Sequence, residues 1–468
     1  MERQLTWLEA ILRRLARRAR SASTKGPVVT SVVRGHDPSQ RRADGRSATG
    51  GGFGLPQFRS TADDRNTAAA NDRFTTLRVR LRKAYTPALP VEDRNRFAGR
   101  VEMMGELIGS LEDQRLHIIV HGVRGIGKTS LLHVLSQAAR EARYTVVYIS
   151  CGEASSFDDV FRSVAAQIPL LYYGETAPRT QASEASLADV LSSEPVTPRS
   201  MTDLFAKVVG TRVLIALDEF DRCESAEFRR CVAELIKNLS DRAARVQLVI
   251  AGVATDVTQL FEFIPSIRRN VVVLQVPKMQ AAEIKQIIHN GEHASGIAFA
   301  PAAADYITSV AHGSPYLANL LSHHAALAAL DGGSATVNMP DASLGLERAL
   351  AELRGRISKR ALAELERTAG EGMHNVLGLL AGTALFSGGQ FTAADIQALY
   401  ISQSDAADCQ ALVERAAAQN AILDIVGEEP FKAYRFREDG LPAYLWVRTA
   451  KQRLGRAAQP KAEAPLDS

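Results

Sequence analysis

Leu116-His117-Ile118-Ile119-Val120-His121-Gly122-Val123-Arg124-Gly125-Ile126-Gly127-Lys128-Thr129-Ser130-Leu131-Leu132 is the stretch whose reading decides the fold. An apolar run of strand length passes directly into glycines at 122, 125 and 127, then into Lys-Thr-Ser and a leucine-rich helical pattern. This is G-x-x-x-x-G-K-[ST] in the strand–loop–helix setting that gives the pattern its chemistry. The glycines let the backbone turn tightly and aim its N–H groups inward, and the helix start adds a positive dipole end, so the loop is a nest for phosphate oxygens. Lys128 is expected to reach the β- and γ-phosphates of ATP and the Thr129 hydroxyl to hold Mg²⁺, with Val123, Arg124, Ile126 and Ser130 completing the loop. A glycine-rich turn without a ligand is the plainer alternative, and the flanking strand and helix argue against it.

A second apolar run, Val213 to Leu217, ends in Asp218-Glu219. A buried strand of this kind delivers two carboxylates to the phosphate end of a sheet. Asp218 is expected to hold Mg²⁺, and Glu219 to orient and deprotonate the attacking water. An exposed acidic turn is the ordinary alternative; its position ninety residues after Lys128, within an alternating pattern, favours the chemical reading.

Further short apolar runs at 145–150, 246–251 and 271–276 alternate with amphipathic stretches. That rhythm predicts an α/β fold, a three-layer P-loop NTPase core with a parallel sheet. After Pro277 the pattern turns helical, at about 280–289, 302–310 and 315–330, and predicts a helical lid. Beyond Ser343 come several helices, then two short strands around a turn at 427–430, a winged-helix pattern. The divisions expected are a basic amino-terminal arm over 1–83, the core over 84–279, the lid over 280–340, the winged-helix domain over 341–450 and a disordered tail over 451–468. Within the core, 174–200 has no apolar period and reads as a surface insertion.

The net charge of +4 is unevenly spread. Residues 1–83 hold 18 Lys+Arg against 7 Asp+Glu, or +11, leaving 38 against 45, or −7, in the rest. Within the arm, Leu5, Leu8, Leu12 and Leu15 at helical spacing beside five arginines predict a short amphipathic helix, suited to a protein partner or to peripheral membrane contact through residues 1–20. A solvated helix end without a ligand, or an organelle-targeting segment, is also compatible with it. The Ser- and Gly-rich stretch after it cannot bury enough surface to fold alone. Four scattered cysteines fit neither a disulfide framework nor zinc, and no apolar run is long enough for a membrane span, so a cytoplasmic setting is expected.

Phe97-Ala98-Gly99-Arg100 before the first core helix, the phosphate loop, Leu217-Asp218-Glu219-Phe220-Asp221, and Gly313-Ser314-Pro315 before a late helix together resemble AAA+ ATPases, especially the origin-recognition-like branch and the related STAND ATPases. The resemblance spans about Tyr85 to Leu330, with a winged helix following as in that branch. It implies that Phe97, Gly99 and Arg100 lie near the adenine. It further implies that Thr255, after the fourth strand, senses the γ-phosphate, and that Arg268 or Arg269 is an arginine finger for a neighbouring subunit, a solvated arginine pair being the alternative. Where many relatives carry an arginine after Gly-x-Pro, this chain has Tyr316 and Leu317. Ser387-Gly388-Gly389-Gln390 looks like an ABC-transporter core but stands far after the acidic pair, and reads instead as a turn between helices.

Residues 373–447 carry 4 basic side chains against 9 acidic ones, a balance that repels duplex DNA. The expected function is an ATP-hydrolysing switch that couples nucleotide state to a protein partner or to further copies of the chain. The alternatives are a DNA-associated initiator or transposition-type ATPase gripping nucleic acid through residues 1–83, and an ATP-binding scaffold with little turnover.

Overall fold

The five apolar runs fold into one parallel sheet. The computed structural model describes residues 73–174, 185–242, 244–254, 260, 267–368, 371–399, 403–418, 422–428 and 432–458. In it β1 (His117–Gly122), β2 (Thr145–Ser150), β3 (Val213–Asp218), β4 (Val246–Val253) and β5 (Val271–Gln275) lie in the order β2-β3-β4-β1-β5. Every pairing is parallel, with Ile119 beside Ile250 and Val273, and Ile215 beside Val147 and Leu248. The chain divides into two units, Met1–Thr76 with Ala457–Ser468, and Leu77–Arg456. The architecture below is that of the second. Residues 1–72 of the expected arm, with its helix and linker, and 459–468 of the expected tail lie outside the described residues, whereas 451–458, expected in that tail, continue a helix that begins at Leu441.

α1 (Arg73–Ala84) precedes the sheet; α2 (Val101–Glu112) and α3 (Lys128–Glu141) cover one face, and α4 (Phe157–Ala166), α5 (Pro198–Ala206) and α6 (Ala226–Asp241) the other. Side chains alternate along a strand. Ile119, Ile215, Leu217, Leu248 and Ile250 therefore meet α4 to α6, while Ile118, Val120, Leu214, Ala216, Val249 and Ala251 meet α2 and α3. Every residue of β1 and β3 is buried. Each large apolar side chain withdrawn from water contributes roughly 1.5–3 kcal/mol, which is what places the two chemistry-bearing strands inside the sheet. The described part of the expected insertion is docked rather than loose: Leu187 and Val196 are buried in the α4–α6 core, and Arg162 donates to the Ser192 carbonyl at 3.1 Å.

Beyond the sheet, α7 (Ala281–Ser295), α8 (Pro301–Ala311) and α9 (Pro315–Asp331) form the helical body seen in the sequence, with α10 (Met339–Gly355) added to it. Prolines at the first turns of α8 and α9 and a left-handed Gly296 after α7 set these ends. Two strands of two residues, β6 (Ala298–Phe299) and β7 (Thr336–Val337), pair in parallel between them. α10 closes on α9 at Gly345, where a Cβ would stand 2.4 Å from the Ala325 nitrogen. The division read at residue 340 thus falls in the first turn of a helix packed on α9.

The carboxy-terminal part runs α11 (Lys359–Thr368), α12 (Glu371–Ala384), β8 (Gln390–Thr392), α13 (Ala393–Ala398), α14 (Gln403–Ala418), β9 (Leu423–Val426), β10 (Ala433–Phe436) and α15 (Leu441–Ala458). β8, β10 and β9 form an antiparallel sheet in that order. Two of these strands were expected; β8 follows directly on the turn that contains Ser387 to Gly389. Among the described residues no helix is long and apolar enough to cross a membrane.

Candidate functional site

β1 ends at Gly122 and the chain turns through Gly125 and Gly127, both in the left-handed region at φ 74° and 96°, before α3 begins at Lys128. Only glycine enters that region without strain. The buried Lys128 side chain folds back over this turn, its Nζ donating to the carbonyls of Gly122 at 2.9 Å and Val123 at 3.0 Å. Burial pushes its ammonium down to about 8, with Asp221 and then Asp218 working against the shift. A cation held at a helix start beside open backbone amides suits a polyanion.

β3 brings Asp218 to the same end of the sheet, two strands away. Asp218 is buried; it accepts from the Glu219 amide at 2.8 Å and from the Tyr148 hydroxyl at 2.5 Å. Tyr148 is raised well above the ordinary tyrosine range by burial and then by that bond, so it stays a donor. Glu219 sits at φ 54°, a conformation that turns its carboxylate out of the strand line, where it accepts from Ser150 Oγ at 2.9 Å and pairs with Arg222 at 3.2 Å. The turn after it returns Asp221 to β4: Oδ1 accepts from the Val253 amide at 2.7 Å, across Gly252, whose missing Cβ would meet Asp221 at 3.2 Å.

Arg100 joins the loop to the helical body. Its guanidinium donates to the Ile126 carbonyl and, at 3.4 Å, to that of Pro277, while its own amide donates to Glu283 Oε1 of α7 at 2.8 Å. Burial lowers the guanidinium to about 10, Glu283 opposing. Gly99 donates to Gln286 at 3.1 Å, and a Cβ there would lie 2.3 Å from Glu283 Oε1.

These groups face a cleft of about 490 Å³. Phe97, Arg100, Arg124, Gly125, Gly127, Lys128, Thr129, Ser130, Asp218 and Glu219 line it; Gly99, Gly122, Val123 and Ile126 do not, and the carbonyls of the last three instead accept from Lys128 and Arg100. Thr255 lies outside the described residues. Arg268 and Arg269 are exposed before β5 and do not line the cleft. Sequence reasoning passed over the segment 86–91, whose Val91 amide donates to Ser130 Oγ at 3.0 Å, and over Asp221, Asn290, Gly291 and Asn319. It also left Tyr316 without a part. The Cβ that Gly125 lacks would touch Tyr316 at 3.4 Å, and the Tyr316 hydroxyl accepts from Arg356 at 2.9 Å. Asp439, just before α15, pairs with Arg124 of the loop at 2.8 Å. Of these, only Asp221 carried a signal, its place three residues after Asp218.

Lys128 and Asp218 are both buried around an open cleft, and Nε of Arg100 is buried there without a hydrogen-bond partner. A basic nest facing a buried carboxylate fits a magnesium-bound phosphate chain.

No curated protein matches this chain. Solved structures that it resembles include the RuvB Holliday junction branch migration motor of Thermotoga maritima (17% identity, 73% of this chain and 93% of that one, TM-score 0.38). Cdc6p of Pyrobaculum aerophilum (15%, 80% and 98%, TM-score 0.44) and a Walker-type ATPase of Pyrococcus abyssi (18%, 77% and 98%, TM-score 0.44) are others. Likeness at this level decides nothing about activity. The family described as Novel STAND NTPase 1 matches residues 87–420, well over half of the sequence, including the loop, the acidic pair and the helices beside them, and the chain belongs to that family.

Proposed function

We propose that this protein is an ATP-binding and ATP-hydrolysing switch in which the state of the nucleotide is passed to α7–α10 and to the carboxy-terminal part. One observation carries the reading: Lys128 from the loop after β1, and Asp218, Glu219 and Asp221 from the end of β3, converge on a cleft whose rim is completed by Tyr316 and Asp439. Lys128 exchanges its bonds to Gly122 and Val123 for the phosphates, and the amides of 125–129 hold their oxygens. Thr129 and Asp218 would hold Mg²⁺, which when bound neutralises charge on the β- and γ-phosphates. Glu219 orients water and accepts its proton. We read α12 to β10 as a winged helix that meets protein, since its acidic balance disfavours DNA. The division into arm, core, lid, winged helix and tail belongs to the same reading.

The test is direct. Lys128→Ala should lose the thermal stabilisation that ATP with Mg²⁺ confers on the wild type, because a ligand that binds only the folded state raises its stability. Glu219→Gln should retain that stabilisation and turn over about 10²–10⁴-fold more slowly. Unchanged hydrolysis by the glutamine variant removes the base assignment; unchanged stabilisation of Lys128→Ala removes the nucleotide site.

A second reading, an ATP-binding scaffold with little turnover, draws on the engagement of Glu219 with both Ser150 and Arg222. It predicts ATP binding with hydrolysis that Glu219→Gln barely alters.

A further inference from the structure

His289-Asn290-Gly291-Glu292-His293 occupies one turn of α7, and its imidazoles and carboxylate take no part in the cleft. His289 and His293, one helical turn apart and both exposed, bring their Nε2 atoms to 3.1 Å, within hydrogen-bond distance in the absence of an ion, with their rings at 82° to each other. The remaining nitrogen of His289, Nδ1, lies 3.3 Å from Glu292 Oε2. The other oxygen of Glu292 accepts from the Phe299 amide of β6 at 2.6 Å, so the carboxylate is fixed from outside the helix.

We propose that His289 and His293 form a binding site for a borderline divalent transition ion of the zinc class, with Glu292 orienting the first imidazole. Two nitrogens bound to one zinc ion at about 2.0–2.1 Å stand roughly 2.9–3.4 Å apart for bond angles between about 90° and 109°, and the Nε2 pair falls inside that range. A carboxylate on the far nitrogen of a ligating histidine keeps the proton at Nδ1 and leaves the Nε2 lone pair toward the ion, the arrangement seen behind most metal-bound imidazoles. Imidazole suits zinc, copper and nickel, whereas magnesium takes oxygen ligands, so this site does not compete for the ion of the nucleotide. Among the described residues no set of three or more His, Cys, Asp or Glu side chains is placed to hold a metal. The two imidazoles are the ligands proposed, with solvent water filling the other positions of the ion. The ion spans i and i+4 of the helix whose Glu283 and Gln286 hold Arg100 and Gly99, and so stiffens the segment that abuts the cleft.

The experiment is a calorimetric titration of zinc chloride into the full chain, stripped by chelator and free of nucleotide, beside His293→Ala and Glu292→Gln. Wild type should bind one ion that His293→Ala loses. Glu292→Gln should bind about ten- to a hundredfold more weakly. Copper(II) in place of zinc should show two imidazole nitrogens by electron paramagnetic resonance, and one in His293→Ala. Both histidines are exposed, so matching circular dichroism spectra separate loss of the ion from loss of the fold. Zinc binding of equal stoichiometry and affinity in wild type and His293→Ala, or none in either, overturns the proposal.

Discussion

Lys128 keeps an ammonium group where burial disfavours charge, and its value of about 8 makes that discomfort measurable. The folded value lies below the unfolded one, so between about 8 and 10 the unfolded chain holds the extra proton and Lys128 contributes a rise in stability with pH across that window. Ligand binding runs the other way. A triphosphate needs the charged amine, so above pH 8 ATP should bind with uptake of up to one proton, and affinity should fall by up to about tenfold per pH unit. Calorimetry at pH 8.5 in two buffers of different ionisation enthalpy checks this; no buffer dependence counts against it. At this scale the sequence was informative where spacing itself is the chemistry, as in Gly122 to Thr129 and Asp218-Glu219. It was silent where a turn folds a polar side chain back into the structure. Asp221 reads as a surface acid beside Arg222, and only the turn over Gly252 brings it to the Val253 amide. Tyr148 and Ser150 read as ordinary strand residues, yet they hold the two carboxylates.

Elements of some length were legible because continuous burial writes a continuous apolar run: β1 to β5 each lie within two residues of the expected bounds. β6, β7 and β8 were not, since two or three residues cannot display an alternation. Helix contacts that depend on a missing side chain were equally hidden. Gly291 lets Tyr85 lie on α7 and donate to the Ile288 carbonyl at 2.8 Å; a Cβ would stand 2.0 Å from the ring. Gly291→Ala should therefore lower unfolding free energy by about 1–3 kcal/mol through overpacking, read by urea denaturation, although alanine is the better helix former. β1 also carries a buried imidazole. His117 accepts from the Leu248 amide at 3.0 Å, and burial lowers it to about 4. Its folded value is below the unfolded 6.5, so the stability it permits is complete above pH 6.5 and is lost as pH falls toward 4, by about 3 kcal/mol in all. Denaturation at pH 7, 5.5 and 4.5 should trace that loss, and a flat profile would contradict it.

Across the whole molecule, the phosphate loop is touched from two distant parts of the chain, by Tyr316 with Arg356 behind it and by Asp439 on Arg124. No sequence pattern joins positions 315 residues apart, and this is why the rim of the cleft was invisible before the structure. The Arg124–Asp439 pair is exposed on both sides and contributes little to stability. Its charge still stands at the mouth of a cleft that must admit a polyanion. Asp439→Asn should leave the melting temperature within about 1–2 °C and speed ATP association severalfold at low salt, with the gain fading near 0.15 M salt. Stopped-flow fluorescence with a labelled nucleotide measures both limbs, and a slower or salt-independent rate would reject the argument. Glu283 and Gln286 meanwhile rivet the front of α7 to the short segment whose guanidinium clasps Ile126. That edge cannot lift without dragging the loop along. Under the proposed switch, a ligand that shifts the loop would draw the first turn of α7 along with it, as a crank draws its rod.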